Sequence, residues 1–264
     1  MTKKIFIFSF IVFLFLSFVY RVKASDFDKA LSDYKASVDI YQKADNDYQL
    51  ARSQYLSSQT LASQQKAQQA TYAFLKARDD VISTYLSMLR QKITDTKGIG
   101  DNDKNGFYGR IDSDVSFYID HRDKIPSAGS LTDLFSDSDK ARDHYNKITL
   151  PLIYRILATL PDGTVQVFLG RITDIIGRIS TKTSEIKKDK DTQTIERWII
   201  ETQNRVDRAK DKESSILTDL PKIETVKDPF SSYNSFLGSY DETIQYLKEA
   251  NIYLKEIVKN IMTN

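Results

Sequence analysis

The residues whose types and spacing best suit a specific chemistry lie in one stretch rich in Asp, Asn and Gly. Calcium takes oxygen ligands from positions 1, 3, 5 and 7 of a twelve-residue loop and from a carboxylate at position 12, and a glycine at position 6 allows the sharp turn. Residues 101–112 have carboxylate or amide side chains at positions 1, 3, 5 and 12, and Gly106 at position 6. The spacing therefore predicts a calcium site whose ligands are Asp101, Asp103, Asn105, the backbone carbonyl of Phe107, and Asp112.

Residues 101–112 resemble the calcium loop of EF-hand proteins, and the resemblance covers these residues alone. They differ from that loop at Asp112, where the longer Glu usually binds through both oxygens, and at Tyr108, where an aliphatic residue is usual. Gly98 and Gly100 interrupt the helix that would lead into the loop. The resemblance implies a weak, structural calcium site in a loop at residues 98–112 between two helices. The alternative is a solvated turn without a metal.

Other residue types that carry enzyme chemistry are scarce in this chain. It contains no Cys, and its two histidines, His121 and His144, have aspartates close to them in sequence. On helices, such neighbours usually form solvated side-chain pairs. The sequence also lacks a nucleophile elbow, a phosphate-binding glycine loop and a His-Glu-x-x-His motif. These observations favour a protein that is not an enzyme.

Long helices are expected to position these residues, because Gly and Pro are few and residues 26–97 contain neither. Aromatic residues recur every seven positions from Phe27 to Tyr55, which is the spacing of a helix–helix seam. We interpret this stripe as bundle core, although such residues also suit a site for a sugar or a peptide. Polar residues at 57–60 predict a hairpin break with Thr60 as the N-cap of a second helix, and the alternative is one uninterrupted helix.

The rest of the chain continues the helical pattern. We predict a short helix over residues 112–124 and a helix over 130–160 that Pro151 kinks or splits, followed by a turn at 161–163. Gly170 and Gly177 in the next helix suggest either a close backbone approach or chance glycines. Another helix is predicted over 192–220, and the last helix has a heptad seam from Phe230 to Ile261. The predicted fold is an all-α, elongated bundle of six or seven helices with heptad-like seams.

The N-terminus has the pattern of a secretory signal peptide. Lys3 and Lys4 precede an apolar run over residues 5–20, and the spacing of Val22 and Ala24 predicts cleavage after Ala24. An uncleaved anchor is the alternative, because Arg21 follows the run directly. Both interpretations place residues 25–264 outside the cytoplasm, as a secreted, periplasmic or cell-surface protein. No later stretch is apolar enough for a second membrane span.

The charge of the chain bears on its partners. Residues 1–24 hold four basic and no acidic residues, so the remaining 240 residues carry 34 basic and 36 acidic groups. A near-neutral, mixed surface argues against nucleic acid as a partner. We therefore expect the partner to be a protein or another component of the envelope. The seam of the last helix would also suit an oligomer interface.

The sequence FYIDHRDKIPSAGSL at residues 117–131 resembles a segment of uncharacterised, exported, all-helical bacterial proteins. The resemblance covers only these residues, and it implies no activity. The sequence as a whole predicts an exported, non-enzymatic structural or interaction module at the cell envelope or outside. The alternatives are a membrane-active helical protein, such as a pore-former, and an anchored extracytoplasmic sensor.

Overall fold

A computed structural model of the chain describes residues 26–187 and 191–263. In chain order its helices are α1 (Asp26–Ser58), α2 (Leu61–Asp95), α3 (Asp101–Lys124), α4 (Leu131–His144), α5 (Leu150–Ile186), α6 (Gln193–Asp219) and α7 (Pro229–Thr263). Short 3₁₀ helices cover Ile125–Ser127 and Leu220–Glu224, and a π-helical segment covers Tyr145–Thr149. These described residues contain no strand, which confirms the predicted all-α helical bundle. The predicted signal peptide or anchor at residues 1–24 lies outside them.

The first two helices form the predicted hairpin. Helix α1 ends at Ser58, Gln59 turns the chain with a φ of 43°, and Thr60 is the N-cap of α2. The Thr60 hydroxyl accepts a hydrogen bond from the Ser63 backbone N–H at 3.2 Å, which satisfies one of the free donors at the helix start. The prediction of a break at residues 57–60 is therefore confirmed.

The aromatic stripe of α1 lies along α2, as predicted for a helix–helix seam. The rings of Tyr41 and Tyr48 pack against Phe74, with centroid distances of 5.4 and 5.0 Å. These tyrosines are half-buried, and the fully buried residues of α1 are the small Ser37 and Ala51. Small residues therefore allow the two helices to approach, and the aromatic rings cover the sides of the contact.

Helix α3 begins at Asp101, so the prediction of a loop at residues 98–112 is wrong for 101–112. Phe107 and Ile111 are spaced by one helical turn, and both are buried in the core. Their burial on one face stabilises the helical conformation of this stretch. Asp101 and Asp103 lie in the first turn, where carboxylates favourably face the positive end of the helix dipole. The short helix predicted over 112–124 thus starts three turns earlier.

Pro151 and Pro161 have different effects on the helical structure of this region. Pro151 stands at the start of α5, and the π-helical segment just before it closes with a hydrogen bond from the Leu150 N–H to the Tyr145 carbonyl. The prediction of a turn at residues 161–163 is wrong, because α5 continues through Pro161 to Ile186. The apolar residues of α5 on both sides of Pro161, Ile156 and Val165, are fully buried, and their packing offsets the cost of the proline within the helix.

The close backbone approach of this protein occurs at Gly98 and Gly163. Gly98 has a φ of +85°, and a Cβ atom there would lie 2.1 Å from the Gly163 carbonyl oxygen. A Cβ atom on Gly163 would lie 2.5 Å from the Lys97 carbonyl oxygen, so the α2–α3 connection lies directly on α5. Gly170 and Gly177 have nothing within 4 Å of such an atom, so the close approach suggested for them is wrong.

Helices α5, α6 and α7 share one core, and α2, α3 and the start of α5 share another. Helix α5 contributes to both and therefore joins the two halves. The buried seam of α7 is Tyr240, Thr243, Leu247, Ala250, Leu254 and Ile257. It keeps the predicted heptad positions 240, 247 and 254, whereas Phe230 and Val258 are exposed. Within the described ranges, no helix combines the length and apolarity needed to cross a membrane.

Candidate functional site

The residues predicted to bind calcium are spread along α3. Asp101, Asp103 and Asn105 are exposed in its first turns, whereas the Phe107 side chain is buried in the core. Asp112 pairs with Arg90 of α2, whose Nε lies 2.8 Å from the Asp112 Oδ1. Asp101 and Asp112 are eleven residues apart, which corresponds to about 16 Å along a helix axis. The helical conformation therefore does not bring the five predicted ligands together.

Calcium binding by these residues stays a prediction from the sequence. In this structure, it would require a change in the conformation of α3. About three turns of α3 would have to unwind before the five oxygen ligands could surround one ion. Unwinding would also release Phe107 from the core and Asp112 from Arg90. Among the described residues, no group of three or more His, Cys, Asp or Glu side chains is arranged to hold a metal.

Both histidines pair with buried aspartates of other helices, and not with the neighbours in sequence that we predicted. The His121 Nδ1 lies 2.5 Å from the Asp79 Oδ2, and Asp79 is completely buried in α2. The His144 Nε2 lies 2.5 Å from the Oδ1 of Asp114, a buried residue of α3. The Phe117 ring stacks on His144 with a centroid distance of 3.5 Å. Sequence spacing could not reveal these pairs, because the partners are 42 and 30 residues apart.

The geometry of His121 indicates a structural role. Its Nε2 donates to the backbone carbonyl of Asp137 at 3.0 Å, while its Nδ1 faces the Asp79 carboxylate. Because both partners are acceptors, both ring nitrogens must carry protons. Accordingly, the hydrogen bond to Asp79 raises the pKa of His121 above its ordinary value. A histidine whose two nitrogens are engaged connects α2, α3 and α4, and has no nitrogen left to act as a base.

Two acidic side chains meet in the core between α5 and α6. Asp162 and Glu213 hydrogen-bond to each other, and the Gln166 Nε2 donates to the Glu213 Oε1 at 2.6 Å. Burial, and then the proximity of Asp162, raise the pKa of Glu213 to about 7. Burial also raises the pKa of Asp162. Proximity and burial therefore favour a proton on this pair.

Five tyrosines meet where the two halves of the molecule join, and we call them the tyrosine cluster. They come from α1, α2, the π-helical segment, α5 and α7, and they are Tyr34, Tyr85, Tyr145, Tyr154 and Tyr233. Ring centroids lie 5.2 Å apart for Tyr34 and Tyr85, and 5.7 Å apart for Tyr154 and Tyr233. The pKa of Tyr85 is raised to about 12, chiefly by burial and also by the proximity of the four other tyrosines.

The hydroxyls of the tyrosine cluster form no hydrogen bond with any of the described residues. Throughout the described part of the chain, none of the five has a hydrogen-bond partner, and none is closed off from solvent. The Tyr240 hydroxyl, by contrast, is buried without a partner. All five rings are half-buried, and the neighbouring Phe230 ring, 6.0 Å from Tyr154, is 55% exposed. The arrangement offers hydroxyls that can donate and accept hydrogen bonds.

Sequence reasoning detected only part of this cluster. Tyr34 belongs to the aromatic stripe of α1, which was interpreted as core with a sugar or peptide site as the alternative. Its partners lie on four other elements, and no spacing in the sequence connects them. Comparison with known proteins adds no relative, since no family model, curated protein or solved structure matches the chain.

Proposed function

We propose that the protein is an exported, non-enzymatic helical bundle that acts as an interaction module at the cell envelope or outside. The observation that carries the proposal is the tyrosine cluster, in which five half-buried tyrosines have hydroxyls without hydrogen-bond partners among the described residues. Tyrosine is enriched at recognition surfaces because its rigid ring gives a large contact area and its hydroxyl adds hydrogen bonds. The signal-like N-terminus supports export.

Two observations support the non-enzymatic part of the proposal. His121 uses both nitrogens to connect helices, and His144 faces the buried Asp114 and stacks on Phe117. A general base needs a free nitrogen within reach of a substrate. The acidic pair of Asp162 and Glu213 lies inside the bundle, where each residue is less than 10% exposed.

The experiment has two readouts. N-terminal sequencing of the protein recovered outside the cytoplasm tests export and separates cleavage after Ala24 from an uncleaved anchor. Sedimentation of the purified protein with washed envelopes of the producing cells tests interaction, using the triple variant Tyr85→Phe, Tyr154→Phe, Tyr233→Phe. Phenylalanine keeps the rings and removes only the hydroxyls, so the fold is retained.

We expect the triple variant to bind envelopes about tenfold more weakly, which corresponds to the loss of one or two net hydrogen bonds. A matched control replaces Tyr72, Tyr246 and Tyr253, which are half-buried and lie outside the cluster, by phenylalanine. The control should bind like the parent. Retention of the chain in the cytoplasm, or equal binding by both triple variants, would contradict the proposal.

A further inference from the structure

We propose that the end of the α1–α2 hairpin binds a second copy of this chain, so that the ends of two hairpins pack together in a symmetric dimer. The hairpin end comprises residues 49–65, on both sides of the turn at Gln59. It is a different surface from the tyrosine cluster, since Leu56 lies about 33 Å from Tyr34 along the axis of α1. Dimerisation therefore goes beyond the interaction module and can be tested independently of it.

The hairpin end has only a weak core of its own. Helix α1 packs mainly on α2, and every residue over 52–62 is exposed except the half-buried Tyr55. The residues buried between the two helices near this end are small, namely Ala51, Ser63 and Ala67. Small side chains bury little apolar surface, so they contribute little of the packing on which helices in proteins depend. A second hairpin would supply the apolar contact that this end lacks.

Three exposed leucines give the hairpin end an apolar surface. Leu50 is 60% exposed, Leu56 is 56% exposed and Leu61 is 71% exposed, so none of them is used in the contact between α1 and α2. Leu56 lies in the last turn of α1 and Leu61 begins α2, which places the two leucines on either side of the turn. Exposed apolar residues that are grouped in this way are typical of an interface, whereas isolated ones are ordinary.

The scarcity of charge favours a second copy as the partner. Charged residues make up 28% of the chain, but Arg52 is the only one in the hairpin end. In a symmetric dimer the same patch of both chains meets itself, so a charge near the two-fold axis faces an identical charge. Like charges in such a contact are strongly unfavourable, and a patch with a single charge avoids them. A surface for a different protein would instead gain from charges that complement that protein.

The polar side chains of the hairpin end also complement one another. Four side-chain amides have no hydrogen-bond partner among the described residues, those of Gln54, Gln59, Gln64 and Gln65. An amide both donates and accepts, so the glutamines of two identical patches can pair with each other. A lipid bilayer is the main alternative partner for exposed leucines. Its hydrocarbon core offers these amides no partner, so burying them there would be costly.

The test is sedimentation velocity of the exported chain over a range of concentrations. We expect the parent protein to form a dimer, and Leu56→Glu and Leu56→Lys each to raise the dissociation constant of the dimer more than about tenfold, because identical charges then meet. An equimolar mixture of the two variants should restore the dimer, since opposite charges face each other in the mixed pair.

Ile200→Glu is the matched control, because Ile200 is 60% exposed and lies on α6, away from the hairpin end. It should dimerise within about twofold of the parent. Far-ultraviolet circular dichroism should be the same for all three variants, because an exposed substitution leaves the core intact. The Tyr85→Phe, Tyr154→Phe, Tyr233→Phe variant should also dimerise like the parent, which separates dimerisation from the proposed function.

Four results would overturn the dimer. The first is a parent protein that stays monomeric up to about 100 µM. The second is equal weakening by Leu56→Glu and Ile200→Glu, and the third is a mixture of the two Leu56 variants that stays monomeric. The fourth is flotation of the parent with neutral phosphatidylcholine vesicles that Leu56→Glu abolishes, which would assign the leucines to a bilayer.

Discussion

At the scale of single residues, the pair formed by His121 and Asp79 shows how strongly one buried charge depends on its partner. Asp79 is fully buried, and its contacts are His121 at 2.5 Å and Arg78 at 3.5 Å. Removing one member of a buried ion pair leaves the other charge desolvated without compensation. Replacing both members by apolar residues removes that cost as well.

We predict that His121→Leu lowers the free energy of unfolding by about 3 kcal/mol, because Asp79 loses its main partner. The double variant Asp79→Leu, His121→Leu should recover most of this loss. Urea denaturation at neutral pH measures both. A double variant as unstable as the single one would show that packing, and not the unpaired charge, causes the loss.

The acidic pair of Asp162 and Glu213 predicts that the free energy of unfolding depends on pH. The pKa of Glu213 is raised from its ordinary value of 4.5 to about 7, so the folded state binds a proton that the unfolded state releases earlier. The contribution of Glu213 to the free energy of unfolding is therefore fully present below about pH 4.5, and it is lost as the pH rises through about 7.

Glu213→Gln should remove this dependence, because an amide keeps the size and hydrogen bonding of the protonated acid. We predict that the variant gains about 1–2 kcal/mol over the parent at about pH 8 compared with about pH 5. Denaturant unfolding at the two pH values measures the gain. The same difference between variant and parent at both pH values would mean that Glu213 is already ionised in the acidic range.

At the scale of elements, the conformation of residues 101–112 is the clearest case in which sequence reasoning failed. The prediction rests on the calcium-like spacing of Asp and Asn alone, and it omits the helical spacing of Phe107 and Ile111 in the same stretch. Acidic residues near the start of a helix have a second explanation, because they stabilise its N-terminus. The break at Thr60 and the cap at Ser130, which accepts from the Asp133 N–H, were predictable because their signals are local.

Gly106→Ala tests this helix directly. Gly106 has no atoms within 4 Å of an added Cβ, so alanine should stabilise the helix by about 0.5–1 kcal/mol. In a calcium loop the same glycine makes the sharp turn, and alanine would destabilise it. Thermal unfolding of the variant and the parent decides between the two conformations.

A calcium titration followed by circular dichroism is the companion measurement. If Asp101, Asp103, Asn105, Phe107 and Asp112 bind calcium as the sequence predicts, binding must reduce the helical signal as α3 unwinds. Asp101→Ala with Asp103→Ala would abolish that change. A helical signal that does not respond to calcium would leave α3 intact and contradict the predicted site.

The remaining differences between prediction and structure have a common physical cause. The helix that continues through Pro161 and the backbone contact of Gly98 with Gly163 both depend on elements that are distant in sequence. The same holds for the tyrosine cluster and for both histidine–aspartate pairs. Local capping and periodicity specify the helices, whereas these features require knowledge of which helices meet.

At the scale of the whole molecule, the continuity of α5 through both cores predicts that the protein unfolds in a single transition. It is continuous from Leu150 to Ile186 and contributes to both cores, so neither half can lose its packing without disturbing a shared helix. Trp198 packs at the edge of the core of α5, α6 and α7, and its fluorescence reports on that half alone.

We therefore expect the fluorescence of Trp198 and the far-ultraviolet circular dichroism of the whole chain to give the same midpoint in urea. Gly163→Ala, which places a Cβ atom 2.5 Å from the Lys97 carbonyl oxygen, should lower both midpoints together. Two separated transitions in the parent protein would show that the halves unfold independently.

The packing of sequence neighbours also has a consequence for the time course of folding. Helix α1 packs on α2 across a connection of two residues, and α6 packs on α7 across a connection of nine residues. Closing such short connections costs little chain entropy, so these hairpins can form within microseconds. The contact between Gly98 and Gly163 spans 65 residues and must wait until α5 is in place. Its formation should therefore be a late step, the one that converts two collapsed helical hairpins into the native arrangement.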